Sequence, residues 1–217
     1  MALLSLETST ECCSVALESQ GRVYENCTNG QHIHSQVLLP SICDVLSQAN
    51  RSFCDIEGIV VGNGPGGFTS LRIGLAVAQG LAVSHQVPIY PVSSLLNVAS
   101  ACPSAKRALV IMDARMGEVY VQSFRYNGTQ GWSPESEPIV VDPRHWRDNF
   151  DALSGEMTVL GTGVSVYKDL LAKHLPSNVQ WESDIYPSAA RALGLKQQAV
   201  SAWSLKANYV RNQVTHG

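Results

Sequence analysis

Apolar residues come first in short dense runs and then at helical spacing, and that change of rhythm organises the first half of the chain. The runs Ala2–Glu7, Cys12–Glu18 and Arg22–Thr28 read as strands. Thr/Ser-rich and Ser-Gln-Gly turns separate them and are too short for a crossover, so the three are antiparallel neighbours. From Ser35 to Ala49, Leu38, Ile42, Val45, Leu46 and Ala49 recur at helical spacing. They predict a helix ending near Asn50, with Pro40 in its first turn or bending it slightly. A strand Gly58–Val61, the segment "GNGPGGFTSLRIG" (62–74), a helix Thr69–Ser84 and a strand Pro88–Val92 follow.

The second half opens as the first does. "ALVIMDARMGEVYVQSFRYNG" laid on "LLSLETSTECCSVALESQGRV" gives strand, acid, turn, strand, with Asp113 on Glu7 and Val121 on Val15, each 106 residues on. An offset near half the length is the mark of a duplicated fold. A strand Glu137–Asp142, a helix from Pro143, a strand Met157–Leu160, a helix Val164–Leu175 and a final helical segment Pro187–Ala207 complete the pattern. The expected organisation is an N-terminal lobe, 1–104, and a C-terminal lobe, 105–217, with the last helix free to pack back on the first lobe.

The glycine-rich segment poses a choice. Gly64, Gly66 and Gly67 allow positive φ and close backbone approach, and Thr69 suits an N-cap, which would leave free N–H groups facing an anion. The spacing is not that of a P-loop, since no lysine follows. The competing reading is a tight turn that lays one helix on its neighbour. The helix it opens is apolar all round, with Gly74, Ala78 and Ala82 recurring every four residues, which favours close helix contact. With the apolar helix from Ser35 beside it, this predicts a partner surface built from Leu38, Leu39, Ile42, Leu46, Leu71, Gly74, Leu75, Ala78 and Ala82. A charge at Leu38 or Ala78 is then expected to break association and spare the fold.

Composition narrows the class. With 217 residues, 45% hydrophobic and 15% charged, the chain suits a globular protein able to bury roughly 70% of its unfolded surface. The net charge of −3 argues against binding nucleic acid without a more basic partner. The N-terminus lacks a basic n-region and no apolar stretch reaches about 20 residues, so a cytoplasmic location and no membrane contact are expected. The six cysteines, with no C-x-x-C, predict reduced core thiols rather than a zinc or disulfide framework. The N-x-S/T triplets at Asn26, Asn50 and Asn127 carry no meaning without secretion.

"LLSLETST", "HSQVLLPSI", "GNGPGGFTSLRIGLAVAQGLA", "MDARMGEVYV", "YPSAARALG" and "YVRNQV" resemble, in order, the signatures of the TsaB (YeaZ) family. The resemblance implies an α/β fold of two duplicated lobes with mixed sheets, the actin, Hsp70 and sugar-kinase class (ASKHA, RNase H-like). It implies a non-catalytic subunit of the machinery that puts a threonylcarbamoyl group on the adenosine after the tRNA anticodon. Such a subunit pairs with its paralogue TsaD, or with itself in TsaD's absence, through the two helices above; the ATPase TsaE joins the pair, and tRNA is met only through the complex. Three residues depart from the family pattern: Glu7 where Asp is usual, Ser70 where Gly is usual, and Thr162 where an acid or amide is frequent. The longer acid shifts a metal-coordinating oxygen by roughly 1.5 Å. The expected cofactor complement is therefore none held strongly by this chain alone, with ATP or ADP and magnesium in the complex.

Catalytic readings compete with this one. In actin-like enzymes, acids at equivalent strand ends face a nucleotide cleft, and Glu7 with Asp113 would be that pair; turn-capping is the bland alternative. Contact with nucleotide or anion is assigned to Glu7, Gly64, Gly66, Gly67, Thr69, Asp113, Arg115 and Glu118, no residue is assigned to catalysis, and no metal site is assigned. An ATPase or phosphotransferase built on Glu7, Asp113 and the glycine loop is the rival reading. The histidine pair of the catalytic paralogue falls here on Ser94 and Val98, which cannot replace imidazole. His32 and His34 would point the same way on a strand, but no third ligand is evident nearby, which favours a surface or helix-entry role. A glycopeptidase-type peptidase is less favoured, since no G-x-S-x-G elbow is present.

Overall fold

The structure is a computed structural model and describes residues 2–102, 104–149, 156–175, 179–196 and 198–210. The chain forms two compact units, Met1–Asn97 with Pro187–Asn208, and Val98–Tyr186 with Tyr209–Gly217.

In the first unit β1 (Ala2–Glu7), β2 (Cys12–Ser19) and β3 (Arg22–Asn29) make the predicted antiparallel meander. The chain then rises through α1 (His34–Gln48) and returns as β4 (Gly58–Gly62), parallel to β1. After α2 (Phe68–His85) comes β5 (Ile89–Val92), giving the order β3-β2-β1-β4-β5. Every residue of β1 and β4 is buried, because both faces of the sheet are covered. On one face Leu4, Leu6, Val15, Ile59 and Val61 meet Leu38, Ile42 and Leu46 of α1 and Leu71, Leu75 and Ala78 of α2. On the other, Leu3, Ala16, Val60 and Val92 meet Ala189, Ala192 and Leu193. Helix α1 ends as expected: Ala49 is the C-cap and Asn50 takes positive φ, which Asn tolerates. Pro40 lies in the helix interior rather than its first turn.

The second unit begins at Val98, within the short helix α3 (Ser94–Ala99). Strand β6 (Arg107–Arg115) pairs with β7 (Glu118–Tyr126); β8 (Trp132–Pro134) and β9 (Ile139–Val141) both pair with β7; β10 (Thr158–Gly161) and β11 (Gln180–Ser183) run parallel on the far side of β6. Helix α4 (Thr162–Leu171) covers one face, where Val164 and Leu171 join Leu109, Ile111, Val119, Val121 and Trp146.

Three predicted helices are shorter. Asp142 holds the following turn by accepting from the Arg144 amide at 2.8 Å, so the helix expected from Pro143 is a 3₁₀ turn, Trp146–Asn149, anchored by the buried Trp146. The helix expected to Leu175 stops at Leu171 and tightens into 3₁₀ geometry over Ala172–His174. The last helix, α5, spans only Ala189–Leu193, since Gly194 ends it and the chain beyond lies against the first sheet instead. Val200 bridges to Ile89, and Gln79 Nε2 on α2 donates to Ala202 O at 3.0 Å. Residues of "YVRNQV" from Arg211 onward lie outside the described residues.

The duplication is visible but slips by one residue. Val15 pairs with Leu6, whereas Val121 pairs with Ile111 and not with Met112; the register shifts only at the irregularity between Asp113 and Arg115. A one-residue slip moves a strand's side chains to the opposite face. Leu4 and Leu6 accordingly face α1 and α2 while Leu109 and Ile111 face α4. Glu7 then points to the α5 side of its sheet and Asp113 to the α4 side of its own, so the equivalence read from the common offset does not hold for these acids.

Ile42 is fully buried between α1 and the sheet. Ile42→Ala is expected to destabilise the protein by about 2–5 kcal/mol, read as a lower urea midpoint with unchanged m-value.

Candidate functional site

The glycine loop is moulded on the turn that follows β1. The Gly67 amide donates to Ser9 O at 2.7 Å. A Cβ at Gly66 would overlap the Ser9 backbone, and one at Gly74 would overlap Thr8 Oγ1, so both positions require the absent side chain. Gly64 is buried with φ of 99°. The N-cap of α2 is Gly67 rather than Thr69, which sits exposed in the first turn. The cap has moved because the loop closes on Ser9 two residues earlier.

This packing fixes which stripe of α2 faces in. Leu71, Gly74, Leu75, Ala78 and Ala82 are buried against β1 and β4, and Leu38, Ile42 and Leu46 of α1 are buried with them. Of the nine residues expected at a partner surface only Leu39 is exposed, at 52%. The correction is one of rotation. On α2 the outward residues are Phe68 (48% exposed), Arg72, Ala76, Gly80 and Val83 (46%), with Arg72 lying 3.6 Å over the Phe68 ring. A Cβ at Gly80 would meet nothing within 4 Å. The outward residues of α1 include Leu39, Pro40 and Cys43. The result is a shallow strip of small residues four apart on α2, with larger apolar side chains exposed at its two ends. Four-residue spacing signals this strip in the sequence as plainly as it signals Gly74, Ala78 and Ala82.

The acids differ in setting. Glu7 has no exposure; its Oε1 accepts from the Ser9 amide at 2.9 Å and its Oε2 from Ser94 Oγ at 3.1 Å. Burial drives its pKa above the usual carboxylate range, against the pull of these bonds. Both oxygens are thus engaged inside the fold, an arrangement that does not suit a metal-bound phosphate. Asp113 caps the β6–β7 turn: it accepts from the Arg115 amide at 2.9 Å and from Arg115 Nη1 at 3.2 Å, and its own amide donates to Thr162 Oγ1 at 3.1 Å. Arg115 is exposed with positive φ, as are Met116 and Gly117, and pairs across the hairpin with Glu118. The Arg115–Asp113 ion pair, with the guanidinium open to solvent, adds at most about 1 kcal/mol.

Ser94 and Val98 are buried in α3. His32 lies exposed in a turn and His34 begins α1, the surface and helix-entry positions expected of them. Among the described residues no three His, Cys, Asp or Glu side chains are placed to hold a metal ion, and no helix is long and apolar enough to cross a membrane. All six cysteines are free thiols; Cys12, Cys13 and Cys102 are buried, but Cys27, Cys43 and Cys54 are exposed, where the sequence predicted core positions.

The family profile for "TsaD: tRNA N6-adenosine threonylcarbamoyltransferase" matches residues 28–216. The "tRNA threonylcarbamoyladenosine biosynthesis protein TsaB" of Escherichia coli K12 is 37% identical over 78% of this chain and 75% of its own length. The chain belongs to the TsaB family. The TsaB of Haemophilus influenzae is 29% identical over 99% of the chain and 95% of its own length. The solved structure of YeaZ from Pseudomonas aeruginosa has a TM-score of 0.83 at 31% identity, covering 96% of this chain and 99% of its own. The filament structure of AlfA from a Bacillus subtilis plasmid, at 9% identity and a TM-score of 0.52 over 91% of this chain and 100% of its own, shares the fold alone. The fold, two α/β units each built on a mixed sheet, is that of the YeaZ structure.

Two outcomes follow from this geometry. Ala78→Glu buries a charge with no partner and is expected to destabilise the fold by more than about 3 kcal/mol, whereas Ala76→Glu, on the outward stripe, leaves the thermal midpoint within a few degrees of wild type; circular dichroism melts check both. His34 is buried, and burial lowers its pKa below its usual 6.5. Its folded form binds the proton less well than its unfolded form, so its stabilising effect is complete above pH 6.5 and fades as pH falls through the folded value. Relative to His34→Asn, the wild-type urea midpoint is expected to fall between pH 7 and pH 5.

Proposed function

We propose that this TsaB-family chain is a non-catalytic scaffold subunit in tRNA threonylcarbamoyladenosine biosynthesis. It docks on a TsaD paralogue through the outward faces of α1 and α2, and the TsaE ATPase joins the pair. Membership of the TsaB family supports the role in this biosynthesis. The observation that carries the docking role is the exposed strip of Ala76 and Gly80 beside Phe68, Val83 and, on α1, Leu39. Small residues let two helix backbones approach closely, and the larger apolar side chains supply area to bury. The same strip would pair two copies of the chain in the absence of TsaD.

Chemistry is assigned to the partner. Glu7 is enclosed and Asp113 closes a turn, and neither arrangement favours the rival ATPase or phosphotransferase. In this reading ATP or ADP and magnesium belong to the complex and not to this chain alone. The net charge of −3 likewise assigns tRNA contact to a more basic subunit. The expected compartment is the cytoplasm.

Ala76→Glu and Gly80→Glu are expected to weaken association with the TsaD paralogue at least a hundredfold by titration calorimetry, and to abolish tRNA modification in an assay in which TsaB, TsaD and TsaE are each omitted in turn. Wild-type affinity in both variants would overturn the docking face. ATP turnover by the purified chain alone, lost in Asp113→Ala, would establish the rival enzyme.

A further inference from the structure

Glu7 lies where three segments of the first unit converge. Its Oε1 accepts from Ser9 in the turn after β1, and its Oε2 from Ser94 at the start of α3. The Ser94 amide in turn donates to Gly64 O at 2.9 Å, and the Ser9 carbonyl accepts from the Gly67 amide. One carboxyl therefore closes a ring of contacts joining the β1 end, the glycine loop and α3. The fourth side is Gly62, the last residue of β4: a Cβ there would overlap the Glu7 carboxyl. The space that Gly62 leaves empty is the space the carboxyl fills. A shorter acid would retract by roughly one carbon–carbon bond, about 1.5 Å, leaving the Ser9 amide and the Ser94 hydroxyl without their acceptor.

We propose that Glu7 is a positioning residue, a carboxyl clasp matched to Gly62 that locks the glycine loop to β1 and α3 and so sets the frame from which α2 presents its outward face. The final clause rests on the docking role proposed above; the clasp itself does not. Among the described residues, the titratable and charged groups that sense Glu7 are the Cys12 and Cys13 thiols of β2 and the Arg191 guanidinium of α5. Burial pushes the Cys13 thiol up to about 11 and the Cys12 thiol higher still, so neither thiol titrates below pH 8. Burial also raises the Glu7 pKa above its usual 4.5. Its stabilising effect is then complete below pH 4.5 and is lost as pH rises through the folded value.

The test uses urea unfolding of the full chain between pH 4 and pH 8, with amide exchange over residues 62–67. Glu7→Gln keeps the length and removes the charge. Its folding constant is expected to gain on wild type by up to tenfold per pH unit from pH 4.5 up to the folded pKa, with loop exchange unchanged. Gly62→Ala is expected to destabilise the wild-type background, and Glu7→Ala to relieve it: the double variant should be at least tenfold more stable than the two single effects combined predict. Glu7→Ala alone should speed loop exchange at least tenfold. Parallel pH profiles for wild type and Glu7→Gln would overturn the clasp, as would strict additivity of Gly62→Ala and Glu7→Ala; if Glu7→Ala does not fold, the Glu7→Gln profile decides. Titration of Glu7→Gln and Glu7→Ala with the TsaD paralogue separates the two proposals. Failure of wild type to bind sinks the docking role and leaves the clasp to the pH and additivity results, while full affinity in Glu7→Ala with a loosened loop overturns the link between them.

Discussion

The backbone of α2 lies closer to the turn after β1 than any side chain at Gly66 or Gly74 would permit. Because the turn and the loop are pressed together over Thr8 and Ser9, the helix cannot roll. Its inward stripe must then be Leu71, Gly74, Leu75, Ala78 and Ala82, and its outward stripe Arg72, Ala76, Gly80 and Val83. In a helix apolar all round, no polar face does this orienting. Contact geometry does, and the glycines are where it is written. The loop is thus primarily a device for close packing, and the helix N-terminus above it is capped by a glycine with no side-chain bond.

The same turn explains why the acid of β1 is unavailable to solvent. Glu7 is directed to the face of the sheet that α5 covers, and Ser9, Ser94 and Gly62 complete its enclosure. In the second unit the strand register has slipped by one residue, so Asp113 emerges on the opposite kind of face and is used by Arg115 to close a hairpin. Two acids that look like twins in the sequence therefore have unlike environments: one enclosed and pushed toward its neutral form, the other at the edge of solvent. Fold alone does not carry chemistry across such a difference. The TsaB family, reached through similarity along most of the chain, is the sounder guide to biological role, and the outward strip of α2 is the feature of this molecule that suits a subunit needing a partner.

Much was legible from residue order alone. The meander β1 to β3, the helices α1 and α2, the strand β4 and the half-length repeat all follow from local rhythm, since alternation, helical period and turn residues act over a few positions. Local signals also placed Asn50 at the end of α1. Where the reading failed, the deciding partner was distant in sequence. The strap after Gly194 is not α-helical because Val200 finds Ile89 and Ala202 finds Gln79. Pattern likewise could not tell the Gly74 stripe from the Ala76 stripe, for both are small residues four apart. The first faces Thr8, which is more than sixty positions away in the chain.

Sequence by itself thus determined the elements from β1 to β5, their order, the half-length repeat and the family, because each is encoded in neighbouring residues or in motifs that survive as strings. Tertiary structure alone decided which side of each element is inside. A one-residue slip between β6 and β7 and the rotation of α2 about its axis change no local propensity, yet the rotation exchanges core for surface between Ala76 and Ala78, and the slip turns Asp113 to the other face of its sheet. Burial is a property of contacts between segments, and those contacts are set by how closely two backbones can approach.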